Sequence, residues 1–218
     1  ALVAEHGGGA VLELGIGSGR LALPLAERGV EVHGIDASPA MVERLRAKPG
    51  GDAITVTIGD MSELELADDR RFAVVFVAFN TFFNLPTEAA QLRCLQRVAA
   101  LLAPEGRFVL EAFVPDGEAR SGVEGSVVPR RISADEVVLA VTSVDRSAQT
   151  ITGSHVHLTE AGTRLRPWHL RYATPAQLDD LAAAAGLVLD WRHGGWNGEP
   201  FTSGSDVHVC AYGRAPSR

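Results

Sequence analysis

The stretch that most limits how this chain can fold is Val11–Arg20, Val-Leu-Glu-Leu-Gly-Ile-Gly-Ser-Gly-Arg. Ala10–Leu14 is a short apolar run, interrupted only by Glu13, and reads as a buried strand. It stops at three alternating glycines, Gly15, Gly17 and Gly19. Leu21–Ala26 then reads as a helix, closed by Glu27, Arg28 and Gly29. Strand, glycine turn and helix in that order commit the chain to an α/β unit with a nucleotide-binding layout. The glycines let a ligand lie against the main chain, and the helix start points free N–H groups at it. A purely structural turn would use the same glycines, so the acids and loops downstream have to discriminate.

The chain has 218 residues, 46% hydrophobic and 22% charged, which fits one α/β domain with an embellishment. Its net charge of -7 supplies no basic surplus for a phosphate backbone, so no nucleic-acid partner is expected. Neutral or cationic small molecules are tolerated. Cys94 and Cys210 fall in a predicted helix and a predicted strand, where they read as small buried hydrophobes. No disulfide framework is implied, and a reducing cytoplasm fits. No apolar run is long enough to span a membrane and no targeting signal is visible, so no membrane partner is expected. The sequence sets no oligomeric state.

Further along, acids arrive at successive strand ends. Val30–Ile35 reads as the second strand and ends at Asp36, nineteen residues after Gly17. A carboxylate there can accept both hydroxyls of an adenine-linked ribose; a helix-start charge is the plainer use. Ser38-Pro39 opens the next helix. Ile54–Ile58 reads as the third strand, followed by Gly59, Asp60 and Met61. A carboxylate can accept from an adenine amino group, and a methionine can pack on the ring. Phe72–Val77, nearly all apolar, suits a central parallel strand covered on both faces. It empties into Ala78–Asn84, whose Phe79, Asn80, Phe83 and Asn84 could form an apolar slot with polar anchors. The phenylalanines could equally pack beneath the next helix, Thr87–Leu102. Pro104-Glu105-Gly106 reads as a turn before a fifth strand, Arg107–Phe113.

The glycine stretch resembles motif I of class I methyltransferases, which bind S-adenosylmethionine (SAM). With Asp36, Asp60 and the Pro-Glu-Gly turn, the resemblance extends over essentially the whole chain. It implies a Rossmann-like, mostly parallel seven-stranded sheet in the order 3-2-1-4-5-7-6, its last strand antiparallel. It implies SAM as cofactor, met by Glu13, Gly15, Gly17, Asp36, Asp60, Met61, Phe79 and Asn80. It also implies a segment ahead of the first strand that closes over the cofactor. An NAD-linked oxidoreductase is the rival enzyme, but Arg20 stands where a dinucleotide fingerprint has its third glycine. A non-catalytic SAM-binding protein is the other rival.

Residues 1–113 therefore read as a SAM-binding core and 173–218 as its completion, with the helix from Thr174-Pro175 and strands Leu187–Arg192 and Val207–Gly213. Between them, residues 114–172 depart from a minimal core. Val137–Val144, Ile151–Leu158 and Arg164–Tyr172 alternate like strands of an antiparallel meander laid over the cleft. The insertion looks like that of small-molecule methyltransferases such as the amino-sugar N,N-dimethyltransferases. The implied reaction is methyl transfer to nitrogen or oxygen of a small metabolite. A neutral amine brings its own lone pair, whereas a hydroxyl wants a general base, most often His. Candidate bases are His155 and His157, which share one strand face, and His169 on the next strand. Solvated strand histidines are the plainer reading. A His-x-His pair with no third ligand does not define a metal site, and none is expected. Trp168 and Trp196 could stack on a substrate or serve as packing anchors. Arg171-Tyr172 could hold a substrate carboxylate or staple the meander to the core.

Overall fold

The computed structural model describes residues 8–64, 70–115 and 123–215. Two sheets organise them. The larger has seven strands: β1 (Val11–Leu14), β2 (Val32–Asp36), β3 (Thr55–Ile58), β4 (Phe72–Val77), β5 (Leu102–Phe113), β10 (Leu187–His193) and β11 (Val207–Arg214). Their order is β10-β11-β5-β4-β1-β2-β3, the order the sequence implies. The five strands from β5 to β3 run parallel, and β11 lies antiparallel to both β5 and β10. A parallel sheet needs crossover helices, and these supply its cover. On one face lie α1 (Ala22–Glu27) and α2 (Pro39–Arg46); on the other, α3 (Glu88–Leu101) and α4 (Pro175–Ala184).

Local chemistry sets these helices. The Ser38 hydroxyl accepts from the Met41 N–H with Pro39 at the first turn, so α2 starts where a cap and a proline coincide. Thr174 and Gln177 form a reciprocal capping box at the start of α4. β4 is buried along its whole length, as a central strand under helices on both sides must be.

The second sheet is an antiparallel meander, β6 (Val123–Ile132), β7 (Glu136–Asp145), β8 (Thr150–Thr159) and β9 (Gly162–Arg171). It contains one strand more than the alternation reveals. β6 runs Val-Val-Pro-Arg-Arg-Ile across a register break between Pro129 and Arg131, and this break scrambles the period-two signal. The predicted turn Pro104–Gly106 is likewise absorbed into β5, at a register shift against β4 between Phe72 and Val74. One end of the meander is tied down. Val144, Ile151 and Leu170 pack on the core, and the Gln149 and Gln177 side chains exchange two amide hydrogen bonds.

Candidate functional site

Everything the sequence singled out for the cofactor converges on the carboxyl edge of β1–β4. The Gly15 and Ile16 N–H groups both donate to the Ile35 carbonyl, folding the glycine turn over the end of β2. Gly15 has φ +72°, and a Cβ there would run into the Thr81 methyl group. Gly17 has φ +56° and faces Met41. Only glycine satisfies both demands at this ledge.

Asp36 joins the first two strand ends. One carboxylate oxygen accepts from the Gly17 N–H at 2.7 Å and the other from the Ser38 N–H at 2.8 Å. Its backbone carbonyl accepts from Gly59 at 3.0 Å, which brings the end of β3 alongside. Asp60 therefore emerges beside Asp36 on the same edge. It caps a single 3₁₀ turn, Met61–Glu63, by accepting from Ser62 N–H at 2.7 Å, and Met61 packs half-buried against the core.

Glu13 lies beneath the turn with only 6% of its surface exposed. One oxygen faces the Ala22 N–H at the start of α1; Oε2 has no partner among the described residues. Burial pushes this carboxyl up to about 8, against the opposing pull of the Ala22 N–H and Arg20, while Asp36 raises it further. A neutral acid with one idle, buried oxygen under a glycine ledge is an orphan that a cationic ligand group would satisfy.

The loop after β4 is strained. Phe79 (φ 56°) and Asn80 (φ 63°) both occupy left-handed backbone, at a cost of about 1–3 kcal/mol each. Three contacts hold them there. The Phe79 N–H donates to Glu111 Oε2 at 2.8 Å, the Arg20 guanidinium stacks 3.6 Å from the Phe79 ring centre, and the Phe113 N–H donates to Asn80 Oδ1 at 2.6 Å. This last bond leaves the Asn80 amide NH₂ as a donor at the strand edge. Sequence reasoning missed Arg20, Met41 and Glu111 as supports. It also missed Lys48, whose ammonium holds the Ser18 carbonyl at 2.6 Å. Met41, Lys48 and Glu111 carry no motif and reach the ledge only through the fold; Arg20 ends the glycine stretch, but its ring contact is likewise set by the fold.

On the acceptor side the candidates separate. Phe83 is fully buried and edge-on to Phe113, so its observed role is packing; Asn84 is exposed beside it. Tyr172 is buried against Phe113. Arg171 staples the meander: its guanidinium donates to Glu88 Oε2 at 2.6 Å and Gln91 Oε1 at 2.7 Å, and its carbonyl accepts from Gln91 Nε2 at 2.8 Å. Trp168 lies across Gly153, where a Cβ would strike the indole, and beside His155. His157 pairs with Glu136 at 2.8 Å. His169 falls on the opposite face of the meander, bonded to Thr152 at 3.0 Å, so the three histidines do not converge. Among the described residues no group of three or more His, Cys, Asp or Glu side chains could hold a metal ion. Trp196 is 51% exposed and lines a trough of about 780 Å³ with Phe79, Glu111 and His193; Trp168 is not among its lining residues. His208 on β11, which no motif announces, is completely buried with neither ring nitrogen partnered among the described residues, and burial and Arg192 push it down to about 4.

A methyltransferase-domain family model matches residues 11–106, from β1 into β5. Cypemycin N-terminal methyltransferase from a Streptomyces species is 30% identical over 91% of this chain and 80% of its own length. This chain is a SAM-dependent methyltransferase. The CcbJ methyltransferase from Streptomyces caelestis superposes with a TM-score of 0.88 at 39% identity, covering 95% of this chain and 84% of that one. SAM-bound CalS10, an amino pentose methyltransferase from Micromonospora echinaspora, gives 0.69 at 25% identity, covering 96% and 86%. The methyltransferase family sets aside the oxidoreductase reading, and SAM is its cofactor.

Proposed function

We propose that this methyltransferase alkylates an amine nitrogen, carried by a small metabolite or by the N-terminus of a peptide. The observation that carries this is where the described histidines of the meander lie. His157 is oriented by Glu136 but sits near the end of the sheet away from its anchored edge, His169 faces away, and His155 lies against Trp168. A neutral amine needs no general base, because its lone pair is free to attack and its proton leaves afterwards. The names of two relatives agree, one an N-terminal and one an amino pentose methyltransferase.

The ledge suits SAM, which when bound supplies a methyl group on a cationic sulfur. Gly15 and Gly17 would offer backbone to the methionine part, with Glu13 beneath it. Asp36 would take the ribose hydroxyls with the lone pairs left after its two backbone bonds. Asp60 would meet the adenine amino group and Met61 the ring. Phe79 and Asn80 would border the reacting centre. Holding donor and acceptor in line can supply about 7–11 kcal/mol of the barrier, so positioning is the protein's main task. We assign that positioning to a core of residues 1–113 and 173–218, with 114–172 as the acceptor cover. No helix among the described residues is long and apolar enough to cross a membrane. We place the action in the cytoplasm, a reading that two free, buried cysteines support.

Paired acceptors that differ only in amine against hydroxyl, including peptides with free and acetylated N-termini, would be incubated with SAM and weighed by mass spectrometry. Methyl gain confined to free amines is the expected result, with the rate rising as the amine deprotonates. Transfer to the hydroxyl member of a pair would overturn the assignment.

A further inference from the structure

The face of the meander that carries Val144, Ile151 and Leu170 onto the core continues away from it as a cationic surface. Side chains alternate along a strand, so Trp168, Arg166 and Arg164 of β9 share that face with Gly153, His155 and His157 of β8. The register sets His155 opposite Arg166 and His157 opposite Arg164. Trp168 stands between this block and the core, its indole laid across Gly153 and its Nε1 buried with no partner among the described residues. Acids on the same face are already engaged. Glu136 holds His157 at 2.8 Å and Arg131 at 3.5 Å, and Glu124 holds Arg146 at 3.3 Å. The Arg164 and Arg166 guanidiniums are exposed, with no hydrogen bond or ion pair to any described residue. Cross-strand neighbours ordinarily match opposite charges. The chain has a net charge of -7, yet no described acid neutralises this pair.

We propose that Arg164 and Arg166 are an anion subsite for the methyl acceptor, taking a carboxylate or phosphate carried at the end of the molecule remote from its amine. The proposal rests on the amine reading above. Two guanidinium forks on one strand face, about 7 Å apart, suit an acid group with several acceptor oxygens. Their position gives the acceptor a length. β9 joins the core at Tyr172, which packs on Phe113, and the Phe113 N–H holds Asn80 in the strained loop. Arg166 and Arg164 lie four and six residues out from Leu170, about 14 and 20 Å along the strand. An acceptor whose amine reaches the loop while its acid reaches the arginines is therefore elongated, with the two groups on the order of 15 Å apart. Trp168 lies along the way and offers a ring against which the connecting atoms can pack. The arginines take no part in bond making; they select which amine is presented.

Calorimetric titration of the SAM-loaded protein with inorganic pyrophosphate and with tricarballylate, at low salt, reads the subsite without methyl transfer. Its outcome is thus independent of the amine assignment. At least one anion should bind, and the tighter of the two names phosphate or carboxylate as the source. Arg164→Gln/Arg166→Gln should weaken that binding by at least about 10-fold with the Kd for SAM unchanged, which also shows the variant folded. Arg44→Gln/Arg46→Gln removes the same charge from exposed positions on α2 and should leave anion binding unaltered. The link to the acceptor is read with free-amine tetrapeptides, about 14 Å when extended, that end in a carboxylate or a carboxamide. The carboxamide should show a KM about 10-fold higher at equal kcat, and the double Gln variant should erase that difference. Failure of both peptides to be methylated would count against the amine assignment, and the titrations would still decide the subsite. Binding of neither anion would overturn the proposal and leave the arginines as guards of an edge strand. Binding that survives Arg164→Gln/Arg166→Gln, or falls equally in Arg44→Gln/Arg46→Gln, would overturn it too, as would equal KM for the two peptides.

Discussion

Replacing Glu13 by Gln tests the proposed cofactor ledge at its least ordinary residue. The wild-type carboxyl titrates at about 8 in the folded protein and 4.5 in the open chain. Between those values the folded state binds more protons than the unfolded one, so stability falls as pH rises. The contribution is complete below pH 4.5 and is lost as pH climbs through 8. Each pH unit in the window removes up to about 1.4 kcal/mol, or about 3 kcal/mol by pH 7. Gln keeps the shape and can accept from the Ala22 N–H, but its NH₂ takes the place of an idle oxygen and goes unpaired, costing about 1 kcal/mol. E13Q should therefore gain about 2 kcal/mol over wild type at pH 7, a rise in Tm of about 4–8 °C for a chain of this size. Thermal melts of both proteins from pH 5 to pH 9 read the difference directly, since every other titrating group cancels. The gap should open steadily with pH. With saturating SAM it should shrink or reverse, because an ionised Glu13 would answer a cation that Gln cannot. A gap that is flat with pH, or E13Q the less stable protein at pH 8, would refute the account of a buried neutral acid.

Other expectations are simpler to state. Asp36→Ala leaves the Gly17 and Ser38 N–H groups without their acceptor and should weaken SAM binding by about 100-fold in calorimetry; unchanged affinity would count against the ribose assignment. His208 has its folded value lowered to about 4 from 6.5, so its contribution is complete above pH 6.5 and is lost as pH falls towards 4, by up to about 3 kcal/mol. His208→Phe should abolish that loss in urea titrations at pH 4.5 against pH 7. Arg171→Met strips the donors from Gln91 and Glu88 and should cost about 1–3 kcal/mol, with faster hydrogen exchange in β9 and a raised KM for acceptor but an unaltered Kd for SAM.

How much of this was legible beforehand depended on whether the signal was local. Strand periodicity, a Ser-Pro start and a Thr-x-x-Gln box are written in consecutive residues, and the sheet order followed once the glycine turn and two strand-end acids fixed the family. Arg20 and Glu111 illustrate the opposite case. One follows the glycine turn and the other lies on β5, and they meet only because Phe79 adopts a left-handed backbone that needs a ring contact on one side and a carboxylate on its N–H. β6 was lost because one bulge at Pro129–Arg131 shifts the alternation out of phase. Arg171 was left with two readings, and the decision came from α3, eighty residues away in sequence, through Gln91.

The site residues also explain why a ledge can be recognised without its ligand. Asp36 spends one lone pair per oxygen on Gly17 and Ser38, which fixes the carboxylate in position while leaving acceptor capacity facing outward. Asn80 does the same with an amide: its oxygen is fixed by Phe113, so its NH₂ points away from the strand. Groups held by their own backbone in this way lose little freedom when a cofactor arrives, and so more of the contact energy appears as affinity. Glu13 is the exception, held on one oxygen and idle on the other. If SAM sits over it as proposed, Glu13 is the group expected to ionise on binding, and SAM should release a proton near pH 7. Titration calorimetry in buffers of different ionisation enthalpy would reveal that proton, and identical heats in all of them would exclude it.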